Sequence, residues 1–133
     1  MAIADRHGLP VACSVASASP HETRLVEATI AQRFTRAKPE RMIGDRAYDC
    51  DPLDQRLLQK HRIRLIAPHK YNRRRKNTQD GRELRRYCRR WKIERLFAWL
   101  HNFRRLVSRW EHQEANFLGM LQLGCFVILA RHL

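Results

Sequence analysis

Arg41-Met42-Ile43-Gly44-Asp45 reads as a short apolar strand that runs directly into a carboxylate. The next twenty-odd residues decide how that strand is used. Asp51-Pro52 predicts a helix start with Asp51 as its cap, and Leu53, Leu57 and Leu58 fall on the inner side of that helix. Ile63–Ala67 predicts another strand, stopped by Pro68. A strand, a helix and a second strand in this order make a parallel pair, so the chain reads as α/β. Upstream, Met1–Ala4 and Leu9–Val15 read as two strands of a hairpin, with Asp5-Arg6-His7-Gly8 as the turn. The hairpin makes the expected sheet a mixed one. Ser19-Pro20-His21-Glu22 predicts a helix capped by Ser19, carrying Leu25, Val26, Ile30 and Phe34 on one face and ending before Pro39. Downstream, residues 68–82 read as an exposed basic loop containing Arg73-Arg74-Arg75-Lys76. A helix over residues 84–107 and an apolar terminal helix over Phe117–Ala130 complete the chain. The organisation is thus sheet and helices over 1–67, basic loop over 68–82, and a helical part over 83–133.

The charge is regional. The 133 residues hold 27 Lys and Arg against 13 Asp and Glu, a net of +14. Residues 60–109 contain 18 of those cations and only Asp80, Glu83 and Glu94 as acids, so the rest of the chain is close to neutral. A concentrated cationic region suits a polyanion, either nucleic acid or an anionic membrane surface. Cys13, Cys50, Cys88 and Cys125 form no CxxC, and with the scattered histidines they offer no zinc spacing, which fits reduced thiols in a cytoplasmic protein. Asp5 and Arg6 interrupt the N-terminus before any apolar run, so no secretory signal is expected. The 14 residues of Phe117–Ala130 fall short of the roughly 20 needed to span a bilayer and read as a buried core helix, so no membrane partner is expected.

Wound at about 100° per residue, residues 84–107 place Tyr87, Arg90, Glu94 and His101 within roughly 60° of one another, away from the apolar positions. Glu94 is then a lone acid in a basic strip. It is either an ion-pair partner of Arg90, one turn away, or a metal ligand. Asp45, at the carboxyl end of a strand, is either a turn cap or a ligand-binding group at the sheet edge where such sites gather. Two carboxylates brought together can hold a pair of divalent ions about 4 Å apart for phosphoryl transfer. Tyr87 can equally border the core. Trp91, Phe97, Trp99 and Phe103 can be core or base-stacking groups, and Arg73–Lys76 can be a solvated run or phosphate contacts. Asp49 and Asp54 read as solvated acids.

The residues also carry a resemblance. Ile43-Gly44-Asp45-Arg46-Ala47-Tyr48-Asp49 is similar to the second-aspartate motif of bacterial insertion-sequence transposases of the DDE class. Tyr87-x2-Arg90-x3-Glu94, continued by Arg95-Leu96-Phe97-Ala98-Trp99-Leu100 and Phe103-Arg104-Arg105-Leu106, resembles that family's glutamate signature. The loop ending in Thr78-Gln79-Asp80-Gly81 and the tail from Glu111 to Leu133 are also similar, so the likeness spans essentially the whole chain. It implies a ribonuclease-H-like mixed sheet with flanking helices, and a carboxylate triad holding two Mg²⁺ or Mn²⁺ ions. Water, then a DNA 3′-hydroxyl, would attack phosphodiesters at transposon ends and target. Asp45 and Glu94 would be the second and third acids, with Tyr87 and Arg90 supporting Glu94 and contacting DNA near the cut. The signature usually places a lysine or arginine seven residues after the glutamate; here His101 stands there.

In that fold the first aspartate lies on a strand before the hairpin, and Asp5, in the hairpin turn, is a poor substitute. The expectation is therefore the C-terminal portion of a transposase catalytic domain, lacking the first strand, one metal ligand and an upstream DNA-end-binding domain. An exposed sheet edge would make it marginally stable or aggregation-prone. An upstream transposase segment, joined by fusion or by association, could complete it, and the partners expected besides DNA are such a segment or a further copy of the chain. Three functions fit: a metal-dependent strand transferase completed by upstream residues and inactive alone, a non-catalytic DNA-binding remnant, and a nucleic-acid-binding protein with no transposon role. A place at the bacterial nucleoid is expected.

Overall fold

The computed structural model describes residues 1–74 and 81–132, and the chain divides into two compact units, Met1–Thr35 with Trp91–Leu133 and Arg36–Arg90. In the first unit, β1 (Ala2–Ala4) and β2 (Pro10–Cys13) pair antiparallel, with Ala2 opposite Cys13 and a register irregularity after Ile3. The turn between them is built by Asp5, whose Oδ1 accepts from the backbone N–H of His7 at 2.7 Å and of Leu9 at 2.9 Å. Gly8 closes it at φ +81°, a left-handed conformation that favours glycine.

Helix α1 (Glu22–Ala31) buries Val26, Thr29 and Ile30. On its inner face the Thr29 hydroxyl lies 2.7 Å from that of Ser14, so two buried polar groups satisfy each other. The expected Ser19 cap is displaced: His21, in extended backbone, is the capping residue, and its Nδ1 accepts from Thr23 N–H at 3.3 Å. Helices α4 (Trp91–Leu100), α5 (Arg104–Val107) and α6 (Glu114–Ala130) complete this unit. Its core gathers Cys13, Leu96, Leu100, Cys125 and Ile128. A Cβ on Gly124 would sit 3.1 Å from Leu106 Cδ1, so the glycine lets α5 approach α6 closely. The expected burial of α6 holds for one side only. Gly124, Cys125 and Ile128 are buried, whereas Leu123 and Phe126 are 54% and 65% exposed.

In the second unit, β3 (Arg41–Ile43) runs parallel to β4 (Arg64–Ile66), with Met42 opposite Leu65. Between them lies α2 (Asp51–Arg56), extended by a wider turn over Leu57–His61 and ended by Arg62 at φ 56°. Leu53, Leu57, Ile63, Ile66 and Ala67 are buried here. The crossover and its parallel pair are as the sequence predicts. The cap is not: Cys50 occupies the capping position, and Asp51 is the first helical residue, with its carboxylate committed to Arg73.

Two larger expectations are corrected. Among the described residues the strands form two separate two-stranded sheets, β1–β2 and β3–β4, in place of one mixed sheet. Apolar alternation marks which segments are extended but carries no information about which edges meet. The helix expected over 84–107 is also broken. Helix α3 (Gly81–Leu84) tightens into a 3₁₀ turn over Arg85–Arg89; α4 begins at Trp91 and ends at Leu100, and Phe103 is extended before α5. Arg82, Arg85, Arg86, Arg89 and Arg90 place like charges one turn apart, which disfavours regular helix. Tyr87 and Arg90 therefore do not share a helix with Glu94.

Candidate functional site

Asp45 is delivered by β3. Gly44 N–H continues the ladder to the carbonyl of Ile66 at 3.0 Å, and the chain then turns. A Cβ on Gly44 would meet the Tyr48 ring at 2.9 Å, so the tight turn over Arg46–Tyr48 depends on that glycine. Asp45 Oδ1 accepts from Ala47 N–H at 2.8 Å. The turn-cap reading of Asp45 is therefore realised, and it uses one oxygen. No donor among the described residues is bonded to Oδ2. A half-buried carboxylate fixed by one oxygen and open at the other suits a hard cation, which takes oxygen ligands.

Four residues further on, the Asp49 side chain is only 4% exposed and heavily bonded. It accepts from His69 Nδ1 at 2.7 Å, from Lys70 N–H at 2.9 Å and from Arg73 Nη1 at 2.7 Å. Arg73 Nη2 goes on to Asp51 Oδ1 at 2.7 Å. Burial raises the Asp49 carboxyl, but the Lys70 N–H, the His69 ring and the Arg73 charge outweigh it and hold the group below its usual range. Asp49 thus differs from the solvated acid expected, and Arg73 from an exposed member of a basic run. Arg74 is exposed, while Arg75 and Lys76 lie outside the described residues. A shallow cleft of about 310 Å³ opens beside this network, lined by Asp49, Asp51, Pro52, Lys70, Asn72 and Arg73. Sequence reasoning misses the network because its members are 20 to 24 residues apart, beyond any periodic signal.

Asp54 also departs from the solvated acid expected. Burial, followed by the neighbouring charges of Asp51 and Asp49, pushes its carboxyl up to about 6. With the folded value above the unfolded one, the unfolded chain gives up this proton first as pH rises from 3.8. Stability is therefore lost between there and about pH 6. The shift sets an upper limit near 3 kcal/mol at about 1.4 kcal/mol per unit, and solvent screening reduces it to about 1 kcal/mol. Asp54→Asn is expected to stabilise the chain by about that amount at pH 7 and by nothing near pH 3.5. Urea unfolding at the two pH values reads the difference, and equal effects at both would refute this account.

Tyr87 is half-buried in the same unit, with the Arg90 guanidinium 5.9 Å from its ring centroid. Glu94 belongs to the first unit, exposed on α4. His101 is exposed in the turn after that helix, its N–H bonded to Phe97 O at 2.9 Å. Trp91 and Phe97 are 50% and 42% exposed, so they are not core, whereas Trp99 and Phe103 are partly covered. Among the described residues no three His, Cys, Asp or Glu side chains are grouped to hold a metal ion. No helix among them is long and apolar enough to cross a membrane. All four cysteines are free thiols.

The family model of the transposase DDE domain matches residues 1–129. The chain belongs to the transposase DDE domain family. It is also 33% identical over 134 residues to a Burkholderia cepacia protein named as a transposase for insertion sequence element IS402, an overlap covering 95% of this chain and 59% of that relative. The chain thus spans about three-fifths of the length of the curated relative it matches. No solved structure matches it. The resemblance to bacterial insertion-sequence DDE transposases holds, and the α/β class with it.

Proposed function

We propose that this chain acts in DNA transposition, supplying two carboxylates of a metal-dependent strand-cleavage and strand-transfer site in a ribonuclease-H-like domain. Asp45 and Glu94 are the ligands in this reading, for Mg²⁺ or Mn²⁺. The observation that supports it is Asp45 itself: a strand-end carboxylate with one oxygen tied to its own turn and the other open, within the residues that the transposase DDE model matches. When bound, a pair of such ions supplies Lewis-acid stabilisation of the attacking and leaving oxygens. Tyr87, Arg90, His101, Arg74 and the Arg75–Lys76 stretch are the proposed contacts to transposon-end and target DNA. Arg73 contributes by holding its loop in place. A third acid comes from an upstream transposase segment in this reading, and self-association is the alternative partner. The setting is the bacterial nucleoid.

One observation favours a second reading, a DNA-binding chain without catalysis. Asp5, in the hairpin turn, spends Oδ1 on two backbone N–H groups of that turn. The test is binding and cutting by the purified chain. It is expected to bind duplex DNA of any sequence, with affinity falling about 60-fold or more between roughly 50 and 200 mM salt, a log–log slope near −3 or steeper. It is expected not to nick DNA alone with Mg²⁺ or Mn²⁺. Nicking by this chain, abolished by Glu94→Gln, would overturn the need for an outside acid. Salt-insensitive binding would remove the polyanion reading altogether.

A further inference from the structure

Glu94 sits in the half of α4 that the apolar core holds least. The fully buried residues of α4 are Leu96 and Leu100, both C-terminal to it. The first half reaches the core through partly buried Ile93 and is held by cations as well. Lys92 Nζ donates to the carbonyl of Arg6, and Arg95 Nη2 donates to the carbonyl of His7, both in the β1–β2 turn. On a helix at about 100° per residue, Lys92, Arg95 and Trp99 share one face and Glu94 lies roughly opposite Lys92. The Arg95 guanidinium is itself fixed from both ends of that face. Its Cζ lies 5.0 Å from the Trp91 ring centroid and 4.9 Å from that of Trp99. Each contact sets the cation over the electron-rich face of an indole.

The turn is shaped to receive this group. Asp5 fixes the loop by its two backbone bonds, leaving the carbonyls of Arg6 and His7 to the helix. Gly8 brings the backbone under the guanidinium: a Cβ there would stand 2.6 Å from Arg95 Nη2. The far end of Arg95 is itself held, over the rings of Trp91 and Trp99.

We propose that Arg95, seated on the hairpin turn with Lys92, is a positioning residue that sets the rotation of the first half of α4 and so the direction in which Glu94 faces. This rests on the reading of Glu94 as a metal ligand. It gives Asp5 and Gly8 a defined task as builders of the seat. Arg95 touches neither metal nor DNA in this role.

The test is amide hydrogen exchange of the purified 133-residue chain, with near-ultraviolet circular dichroism of its tryptophans. Arg95→Gln is expected to raise exchange of amides 94–97 by about tenfold or more and to weaken the tryptophan band, with α6 amides 120–128 unchanged. Arg95→Lys, which can still donate to the turn but cannot stack as a planar group, should restore exchange protection in part and the tryptophan band hardly at all. Unchanged exchange at 94–97 in Arg95→Gln overturns the proposal. So does an equal rise in α6, which would mean that Arg95 only stabilises the unit. The ligand reading of Glu94 is judged separately, by whether Glu94→Gln affects metal-dependent cutting in a form of the chain that cuts.

Discussion

Asp45→Asn and Glu94→Gln are each expected to lower strand cleavage by about 10³-fold or more, in whichever form of this chain cuts DNA, alone or joined to an upstream segment. Both substitutions are nearly isosteric, so the fold is retained and the change is one of charge. An amide oxygen is a much poorer ligand than a carboxylate for a hard divalent ion, which prefers charged oxygen donors. Loss of several kcal/mol of charge stabilisation is what such a site supplies to phosphoryl transfer, and about 4 kcal/mol corresponds to three decades in rate. Asp45→Asn has a further use, because Oδ1 of the carboxamide still accepts from Ala47 N–H and so keeps the turn. Its effect therefore reports on the open oxygen and not on the cap.

DNA affinity should move little, and if anything upward, because each change removes a negative charge from a chain of net +14. Cleavage and binding measured on the same preparations separate the two properties. A tenfold or smaller loss of cutting in both variants would show that these carboxylates are not ligands, and the ion-pair reading of Glu94 would stand. A large loss in Glu94→Gln with none in Asp45→Asn would leave Asp45 as a turn cap and require another acid in its place.

The sequence discloses these two acids better than it discloses their setting. Asp45 follows an apolar run, and apolar run, glycine and acid are all local, so its place at the end of β3 can be read directly. The parallel pairing of β3 with β4 is legible for the same reason, since a helix lies between two extended segments. Glu94 does lie on a helix, as its surroundings predict, but a wheel that gathers Tyr87, Arg90, Glu94 and His101 assumes one continuous helix. The 3₁₀ turn at Arg85–Arg89 and the turn after Leu100 break that phase. Repulsion among arginines acts through their mutual distances in the folded chain, and hydrophobic periodicity does not register it. Hidden altogether are contacts between distant positions: Asp49 with residues 69–73, and Arg95 with a turn 88 residues earlier. Only the turn chemistry of Asp5 and Gly8 gives notice that a side chain could be seated there.

Asp49→Ala is expected to cost about 2–3 kcal/mol at pH 7 and to lower the melting temperature by about 10 °C. The carboxylate is almost fully covered, and its removal leaves the Lys70 N–H and the His69 ring without their acceptor and Arg73 with Asp51 alone. An orphaned buried donor costs about 1–3 kcal/mol. Breaking a fully buried ion pair costs about 3–5 kcal/mol and an exposed pair under about 1. The cleft beside Asp49 admits water and places this case between those limits. At roughly 4 °C per kcal/mol for a chain of this size, the shift in melting is large enough to read without ambiguity. The pH dependence has the opposite sign to that of Asp54. Asp49 is held below its ordinary range by Lys70, His69 and Arg73, so its contribution is present above the unfolded value and is lost as pH falls through the folded one. Wild type and Asp49→Ala should therefore converge in strongly acidic solution while Asp54→Asn gains its advantage only toward neutrality. The double variant Asp49→Ala with Arg73→Ala should lose less than the sum of the two single losses, since each single change already breaks the same pair. Strict additivity, or a loss below about 0.5 kcal/mol for Asp49→Ala, would mean that the network tracks the fold without holding it. In that case the loop that leads into Arg74 would have to be anchored by something other than Asp49.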